Sequence, residues 1–299
     1  MPAASREEVQ RCRGQAIAEH GRWTAYNIDL GHGVFSIAEG QRTVAEERVD
    51  QIRQIVCDFA SKSLGELRIL DLGANEGGFA IDLARRQARV VAVEARLAHV
   101  AKIRVAKQTL GLDRLEARQG DIRELDVDEL GRFDVALCLG VIYHLDVPDV
   151  FSFVTALAAM APLAIVETQV SLKPARSVSY AGETYWGRYY DEGSGTDPGA
   201  SFGNARSFWF TEPSLLNLLA SNGYTSVARV AMPVVSTLAS YRDHVVLIAA
   251  RGQPAGRPPQ RWPERLPALA HPQQGTAWWL RERLQRARGR GLASVFDKK

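Results

Sequence analysis

The run from Leu67 to Arg96, LRILDLGANEGGFAIDLARRQARVVAVEAR, constrains this chain more than any other stretch. Arg68-Ile69-Leu70-Asp71-Leu72 has the length and apolar content of a short buried strand. It breaks into Gly73-Ala74-Asn75-Glu76-Gly77-Gly78, a turn in which backbone can run close to a ligand. Phe79, Ala80, Leu83 and Ala84 then recur at helical spacing, with Arg85 and Arg86 on the far side. Arg89 to Val93 reads as a second buried strand, ending at Glu94. A glycine-rich turn between strand and helix, with an acid closing the next strand, is how a doubly wound sheet binds a nucleoside. Main-chain N–H groups face the ligand, and the acid accepts from both ribose hydroxyls.

The kind of nucleoside turns on one position. A dinucleotide fingerprint wants G-x-G-x-x-G, and Asn75 stands where its second glycine should be. A pyrophosphate needs that glycine for close approach, whereas an adenosyl group without phosphate does not. A dinucleotide site and a plain strand–turn–helix without ligand are the competing readings. The stretch resembles the first motif of class I S-adenosylmethionine-dependent methyltransferases, D-x-G-x-x-x-G, in Asp71 to Gly77. That resemblance implies an α/β fold with a Rossmann-like, seven-stranded, mostly parallel sheet. Helices would cover both faces, and the last strand would run antiparallel. It also implies S-adenosylmethionine as cofactor and S-adenosylhomocysteine as product.

At 299 residues the chain fits one domain of about 200 residues plus appendages, or two small domains. We expect a helical extension and lid over 1–62, the methyltransferase domain over 63–250, and a Pro/Arg-rich linker with a basic helix over 251–299. The odd, widely spaced cysteines Cys12, Cys57 and Cys138 argue for a reducing compartment and against a disulfide framework or a zinc site. MPAASREEVQ lacks the apolar core of a signal peptide, and no run approaches a membrane span, so a cytoplasmic location is expected. From Arg251 onward there are eleven basic and three acidic residues, against +3 for the whole chain. The body is therefore mildly acidic, which disfavours a broad nucleic-acid surface but leaves room for a tail that meets phosphate or an anionic membrane.

Taken in order, Ser5-Arg6-Glu7-Glu8 fits a capping box opening a helix towards Glu19. Trp23 to Phe35 mixes aromatics, glycines and polar groups without period, and reads either as a loop packed on the domain or as a substrate lid carrying Tyr26. Val49, Ile52, Val56 and Phe59 place a helix over Thr43–Ser61. Leu97–Leu110 is a further helix and Leu115–Gln119 a third strand, followed by Gly120-Asp121-Ile122. Asp121 is a turn or cap residue on one reading. On the resemblance it accepts the adenine amino group, and Ile122 packs on the ring. Phe133–Leu139 is a fourth buried strand, running into Gly140-Val141-Ile142-Tyr143-His144-Leu145.

Ligands sit at the carboxyl ends of such strands. Leu139 and Gly140 there would border the methionine part of the cofactor, with Tyr143 and His144 beside the methyl group. His144 is the candidate general base, its alternative being a loop-capping bond. No second histidine stands at ligand spacing, so no metal site is expected. A helix over Pro148–Met160 leads to the fifth strand, Ala164–Thr168. Within it, Glu167 would hold a substrate hydroxyl or pair with a loop arginine. Val170 to Ser207 reads as a long irregular insertion. Its aromatics, Tyr185, Trp186 and Tyr189 foremost, would contact substrate or form a small roof over the sheet. Asp191–Asn204 looks mobile. A helix from Thr211-Glu212-Pro213 to Gly223 and strands over Tyr224–Val230 and His244–Ala249 close the domain. In the tail, Trp278-Trp279-Leu280 leads an arginine-rich helix suited to docking.

Within the superfamily, Gly140-Val141-Ile142-Tyr143-His144, Gly182-Glu183-Thr184-Tyr185 and Phe208-Trp209-Phe210-Thr211-Glu212-Pro213-Ser214-Leu215 resemble one branch. It includes the tRNA wobble-uridine carboxymethyltransferase and many methyltransferases of sugars, lipids and secondary metabolites. In the tRNA enzyme a tyrosine of that run, with a lysine and an arginine, holds an extra carboxylate. Tyr143 matches, but the other two have no placed counterpart. The expected activity is methyl transfer to a hydroxyl of a small-molecule, sugar or glycan acceptor. Asp71, Gly73, Asn75, Gly77, Glu94, Asp121, Ile122, Leu139 and Gly140 would hold the cofactor. His144 and Tyr143 would act at the reacting atoms, and Tyr26, Glu167, Tyr185, Trp186 and Tyr189 would meet the acceptor. The alternatives are tRNA wobble modification, which would want a basic face for phosphates, and a non-catalytic nucleoside-binding scaffold. A homo-oligomer formed through the N-terminal extension or the Trp/Arg helix is a further expectation.

Overall fold

The computed structural model describes residues 4–38, 44–193, 201–230 and 243–252. The tail helix expected at Trp278–Arg290 lies outside them, as does the centre of the Asp191–Asn204 stretch. Ser5 caps α1 (Arg6–His20), its hydroxyl accepting from the Glu8 N–H at 3.2 Å. Helix α2 (Val44–Phe59) buries Ile52, Ile55 and Val56. The nucleoside-type unit follows as β1 (Arg68–Leu72), α3 (Gly78–Arg85) and β2 (Arg89–Glu94). Next come α4 (Leu97–Leu110), β3 (Leu115–Gln119), the single turn α5 (Val127–Leu130), β4 (Val135–Leu139), α6 (Asp149–Met160) and β5 (Leu163–Gln169). Then β6 (Arg176–Tyr180), β7 (Glu183–Asp191), β8 (Arg206–Phe210), α7 (Glu212–Ser221), β9 (Ser226–Arg229) and β10 (His244–Ala250) complete the described chain.

Among the described residues seven strands form one sheet in the order β3-β2-β1-β4-β5-β10-β9. The strands β1 to β5 pair in parallel, and β10 runs antiparallel to both of its neighbours. This is the sheet expected from the sequence, with its last strand reversed. One face carries Leu70, Leu72, Val91, Val93, Ala136 and Cys138 into a core shared with Phe151, Leu157 and Leu218 of α6 and α7. The alternate residues Ile69, Val90, Ala92 and Leu137 are buried on the other face, where α3 and α4 pack against β2. Burying each large apolar side chain contributes about 1.5–3 kcal/mol. No described helix is long and apolar enough to cross a membrane.

Strand register aligns the chemistry. Asp71 lies beside Ala92 and Leu137, Leu139 beside Glu167, and β2 ends at Glu94. Their carboxyl ends thus share one edge of the sheet.

The expectation of an irregular insertion over 170–207 is corrected. Strands β6, β7 and β8 form a separate three-stranded antiparallel sheet. Tyr180 pairs with Glu183, so Ala181-Gly182 is a two-residue hairpin loop, and both residues have positive φ (50° and 83°). The period of two was hard to read because aromatic residues occupy both faces of β7. Tyr185 and Gly187 turn inward, while Trp186 and Tyr190 stay exposed. Phe151 stacks on Tyr180 at 4.2 Å, and the Phe208 N–H donates to the Leu145 carbonyl at 2.9 Å, which ties this sheet to the end of β4.

Candidate active site

The turn after β1 is built by backbone bonds around one acid. Gly73 and Ala74 N–H groups donate to the Val93 carbonyl at 2.9 and 3.1 Å. Asn75 adopts φ 51° and donates its N–H to Glu94 Oε2 at 2.9 Å, while the Arg96 N–H meets Oε1 at 2.8 Å. Gly77 has φ 84°, and a Cβ there would come within 2.7 Å of Ile103. Burial alone would raise the Glu94 carboxyl, but His99 and the two N–H donors outweigh it and hold it below its ordinary value. Each oxygen retains a lone pair for a ligand hydroxyl.

Asp71 is different. It is 2% exposed, and its Oδ2 has no hydrogen-bond partner. Burial, with the Glu94 charge adding to it, pushes its carboxyl up to about 7 against the pull of the Ala80 N–H. A buried acceptor left open at this edge fits a donor supplied by a ligand.

The turn also holds the N-terminal segment. Glu76 is fully buried, lies 2.8 Å from Lys102 Nζ, and accepts from the Thr24 and Ala25 N–H groups. Lys102 donates further to the Arg22 carbonyl at 2.7 Å. Losing either partner would leave a buried charge at a cost of about 3–5 kcal/mol. Trp23, Tyr26, Ile28, Leu30 and Val34 are buried, so the segment packs firmly on the domain. Tyr26 lies on the backbone of Gly78, where a Cβ would come within 2.3 Å of its ring, and meets Phe79 edge-on at 5.7 Å. Burial raises its hydroxyl to about 12, the Arg48 charge partly opposing.

At β5, Glu167 is not open to a substrate hydroxyl. Arg48 of α2 holds Oε2 through both Nε, at 2.7 Å, and its terminal nitrogen, while His244 Nε2 lies 2.8 Å from Oε1. The reading of Glu167 as an arginine partner therefore holds, but the arginine comes from a helix and not from a loop. Sequence reasoning did not find Arg48. It shares the buried face of α2 with Ile52, Ile55 and Val56, and a charged residue on that apolar face was the signal that went unread.

The end of β4 brings the expected pair together. Gly140 has φ 78°, and a Cβ there would point towards the Tyr143 hydroxyl at 3.6 Å and Arg48 at 3.9 Å. Tyr143 packs against His144 (ring centroids 4.2 Å apart) and edge-on to Trp209 (5.9 Å). Burial drives the Tyr143 hydroxyl to about 12, with Arg48 again opposing. His144 Nδ1 lies 3.2 Å from the Glu192 carboxylate. Burial would raise Glu192, but bonds from His144, Ser207 and the Ser201 N–H keep it below its ordinary value. The His144 carbonyl accepts from Ser201 Oγ and Asn204 Nδ2, both at 2.9 Å. Glu192 was missed because the long segment around it showed no register.

Asp121 sits as the cap of a 3-10 turn over Ile122–Glu124, accepting from the Arg123 N–H at 2.9 Å and from its guanidinium. Ile122 packs against the core and Leu139 is buried at the end of β4. Of the expected substrate residues, Trp186 and Tyr189 are half-exposed, whereas Tyr185 is corrected to a core residue, 2% exposed among Phe151 and Phe210.

Residues 69–161 match a family model described as a methyltransferase domain. The fold is the Rossmann-like one of methyltransferases. Within it, the matched span runs from β1 to the end of α6 and so contains the turn, both acids and the Tyr143–His144 pair. The chain is 30% identical over 109 residues to a ubiquinone biosynthesis O-methyltransferase of Acinetobacter baumannii, covering 36% of this chain and 45% of that one. It is 29% identical over 134 residues to a magnesium-protoporphyrin O-methyltransferase of Rhodobacter capsulatus, covering 44% and 57%. The chain thus spans about half the length of the curated relatives it matches. In fold it is similar to the N-terminal domain of EvdMO1, crystallised with S-adenosylhomocysteine and D-fucose. The TM-score is 0.65 at 19% identity over 84% of this chain and 98% of that one.

Proposed function

We propose that the methyltransferase domain moves a methyl group from S-adenosylmethionine to a hydroxyl of a small or glycosylated acceptor. The observation that carries this reading is the shared edge. A nucleoside cradle with an open buried acceptor, Asp71 Oδ2, stands beside a histidine–carboxylate pair, His144–Glu192. When bound, the cofactor supplies an electrophilic methyl on a sulfonium. Glu94 would take the ribose hydroxyls on its free lone pairs, and Asp71 would accept from a donor of the amino-acid part. Because Glu192 accepts at Nδ1, the His144 nitrogen left basic is Nε2, and it takes the proton of the acceptor hydroxyl. Tyr143, wedged between His144 and Trp209, keeps the imidazole from turning. Displacement at a methyl is an in-line reaction, so positioning supplies most of the rate. That both relatives near 30% identity are named O-methyltransferases supports the oxygen acceptor.

Calorimetry with S-adenosylhomocysteine tests the cradle. Glu94→Ala removes a charged acceptor of two ligand bonds, each worth about 1.5–3 kcal/mol, so affinity should fall about 10²- to 10⁴-fold. Equal affinity in the variant, or no labelled methyl passed to any hydroxy compound of a broad panel, would overturn the proposal.

A further inference from the structure

The hairpin sheet presents a second feature that the transfer chemistry does not use. Alternate residues of β7 share one face, and from Trp186 that face runs through Arg188 and Tyr190 to Glu192 just past the strand. Trp209 of β8 lies directly across from Arg188. The Arg188 guanidinium sits 4.1 Å from the Trp209 ring centroid and 5.7 Å from that of Tyr190, and Tyr190 stacks on Trp209 at 4.5 Å with the planes 19° apart. The neighbouring arginine of this sheet, Arg206, is paired with Asp146 at 2.9 Å. Arg188 has neither a carboxylate nor a carbonyl partner among the described residues. A guanidinium held by aromatic rings and not by an opposing charge leaves N–H donors for a planar or tetrahedral oxyanion.

The same face ends at the candidate base. Glu192, which holds His144, is four residues beyond Arg188, about 13 Å along an extended chain. Tyr143 bridges the remaining gap, its ring packed on both His144 and Trp209.

We propose that Arg188 and Tyr190, backed by the buried Trp209, form an acceptor subsite for a ring-bearing molecule with a carboxylate or phosphate group. The oxyanion meets the Arg188 fork and the ring lies against the exposed Tyr190, which turns the acceptor hydroxyl towards His144. This specifies the acceptor class for the methyl transfer proposed above and rests on that reading for its orientation. The binding step itself does not, and can be measured without cofactor.

The test uses the full chain and three probes of similar size, benzoate, phenyl phosphate and neutral benzamide, titrated by ligand-observed NMR with and without S-adenosylhomocysteine. The two anions should bind at least fivefold tighter than benzamide. Arg188→Gln should erase that preference, and Arg188→Lys should keep part of it. Benzamide binding as well as the anions, an anion preference that survives Arg188→Gln, or no binding of any probe overturns the subsite. Failure of S-adenosylhomocysteine to bind, with the anion preference intact, would instead count against the transfer reaction.

Discussion

The two ligand-facing regions of this molecule are built on opposite plans. At the parallel edge, Asp71 and Glu94 are buried and fixed by strand register, and Glu94 is held by two backbone donors. On the hairpin sheet, Trp186 and Tyr190 remain exposed, and Arg188 is held by ring faces instead of by an opposing charge. The first plan suits a ligand that never changes, since a rigid backbone cradle tolerates little variation. The second suits recognition that can be retuned one side chain at a time, because exposed residues on a strand face carry little of the fold's stability. His144 stands where the plans meet, its backbone on β4's exit and its ring on Glu192 from the hairpin.

Removing that junction should have the largest effect. His144→Ala should lower kcat by about 10²- to 10⁴-fold, the usual contribution of a positioned base. Glu192→Gln keeps an oxygen that can accept from Nδ1 but loses the charge, and a loss on the order of tenfold is expected, as for other partners that orient a functional imidazole. In both variants S-adenosylhomocysteine affinity should stay within about twofold. A parallel loss of affinity, read by calorimetry, would move His144 from the reaction to the cofactor cradle.

A second test isolates the parallel edge. Burial raises Asp71 from 3.8 to about 7, so between those values the native chain keeps a proton that the unfolded chain has lost. Stability of the ligand-free protein should therefore be greatest towards pH 4 as far as Asp71 is concerned, and fall by roughly 4 kcal/mol as pH rises through about 7. A cationic or N–H donor settling on Oδ2 lowers this pKa again. Binding of S-adenosylhomocysteine at about pH 6 should then release up to one proton, visible as different apparent enthalpies in buffers of different ionisation heat. Identical enthalpies would show that Asp71 stays protonated and has a purely structural role. Asp71→Asn should abolish both the release and the pH slope.

The comparison also explains what could be read in advance. The strand–turn–helix from Leu67 was legible because each step has a local cause: an apolar run, a left-handed Asn75 and Gly77, and an acid where β2 ends. All seven strands of the main sheet follow from similar runs. Contacts distant in sequence were not legible. Arg48 reaches Glu167 across 119 residues, and His144 reaches Glu192 across 48. The hairpin sheet was missed for a different reason. Its pattern alternates aromatic with aromatic, so hydropathy shows no period of two. The two-residue turn Ala181-Gly182 was the overlooked signal. Placing that turn sets the register and sorts Tyr185 from Trp186.

The smallest predicted effects sharpen that sorting. Tyr185 and Trp186 are adjacent and both aromatic, yet they point to opposite sides of β7, one 2% and the other 46% exposed. Tyr185→Phe gives up a long hydroxyl contact to Ser221, 3.3 Å, and should cost about 1 kcal/mol or less, a fall of roughly 2–4 °C in Tm, with kcat and KM unchanged. Trp186→Ala should leave Tm nearly where it was, since exposed positions usually change stability by no more than about 0.5 kcal/mol. It removes an aromatic face next to Arg188, worth about 0.5–1.5 kcal/mol to a stacked ring, so the acceptor KM should rise roughly 2- to 12-fold. Thermal melts and steady-state kinetics on the two variants separate a core tyrosine from a surface tryptophan. If instead Tyr185→Phe raised KM and Trp186→Ala lowered Tm, the register of β7 would be off by one residue, and Arg188 and Tyr190 would turn away from His144 with it.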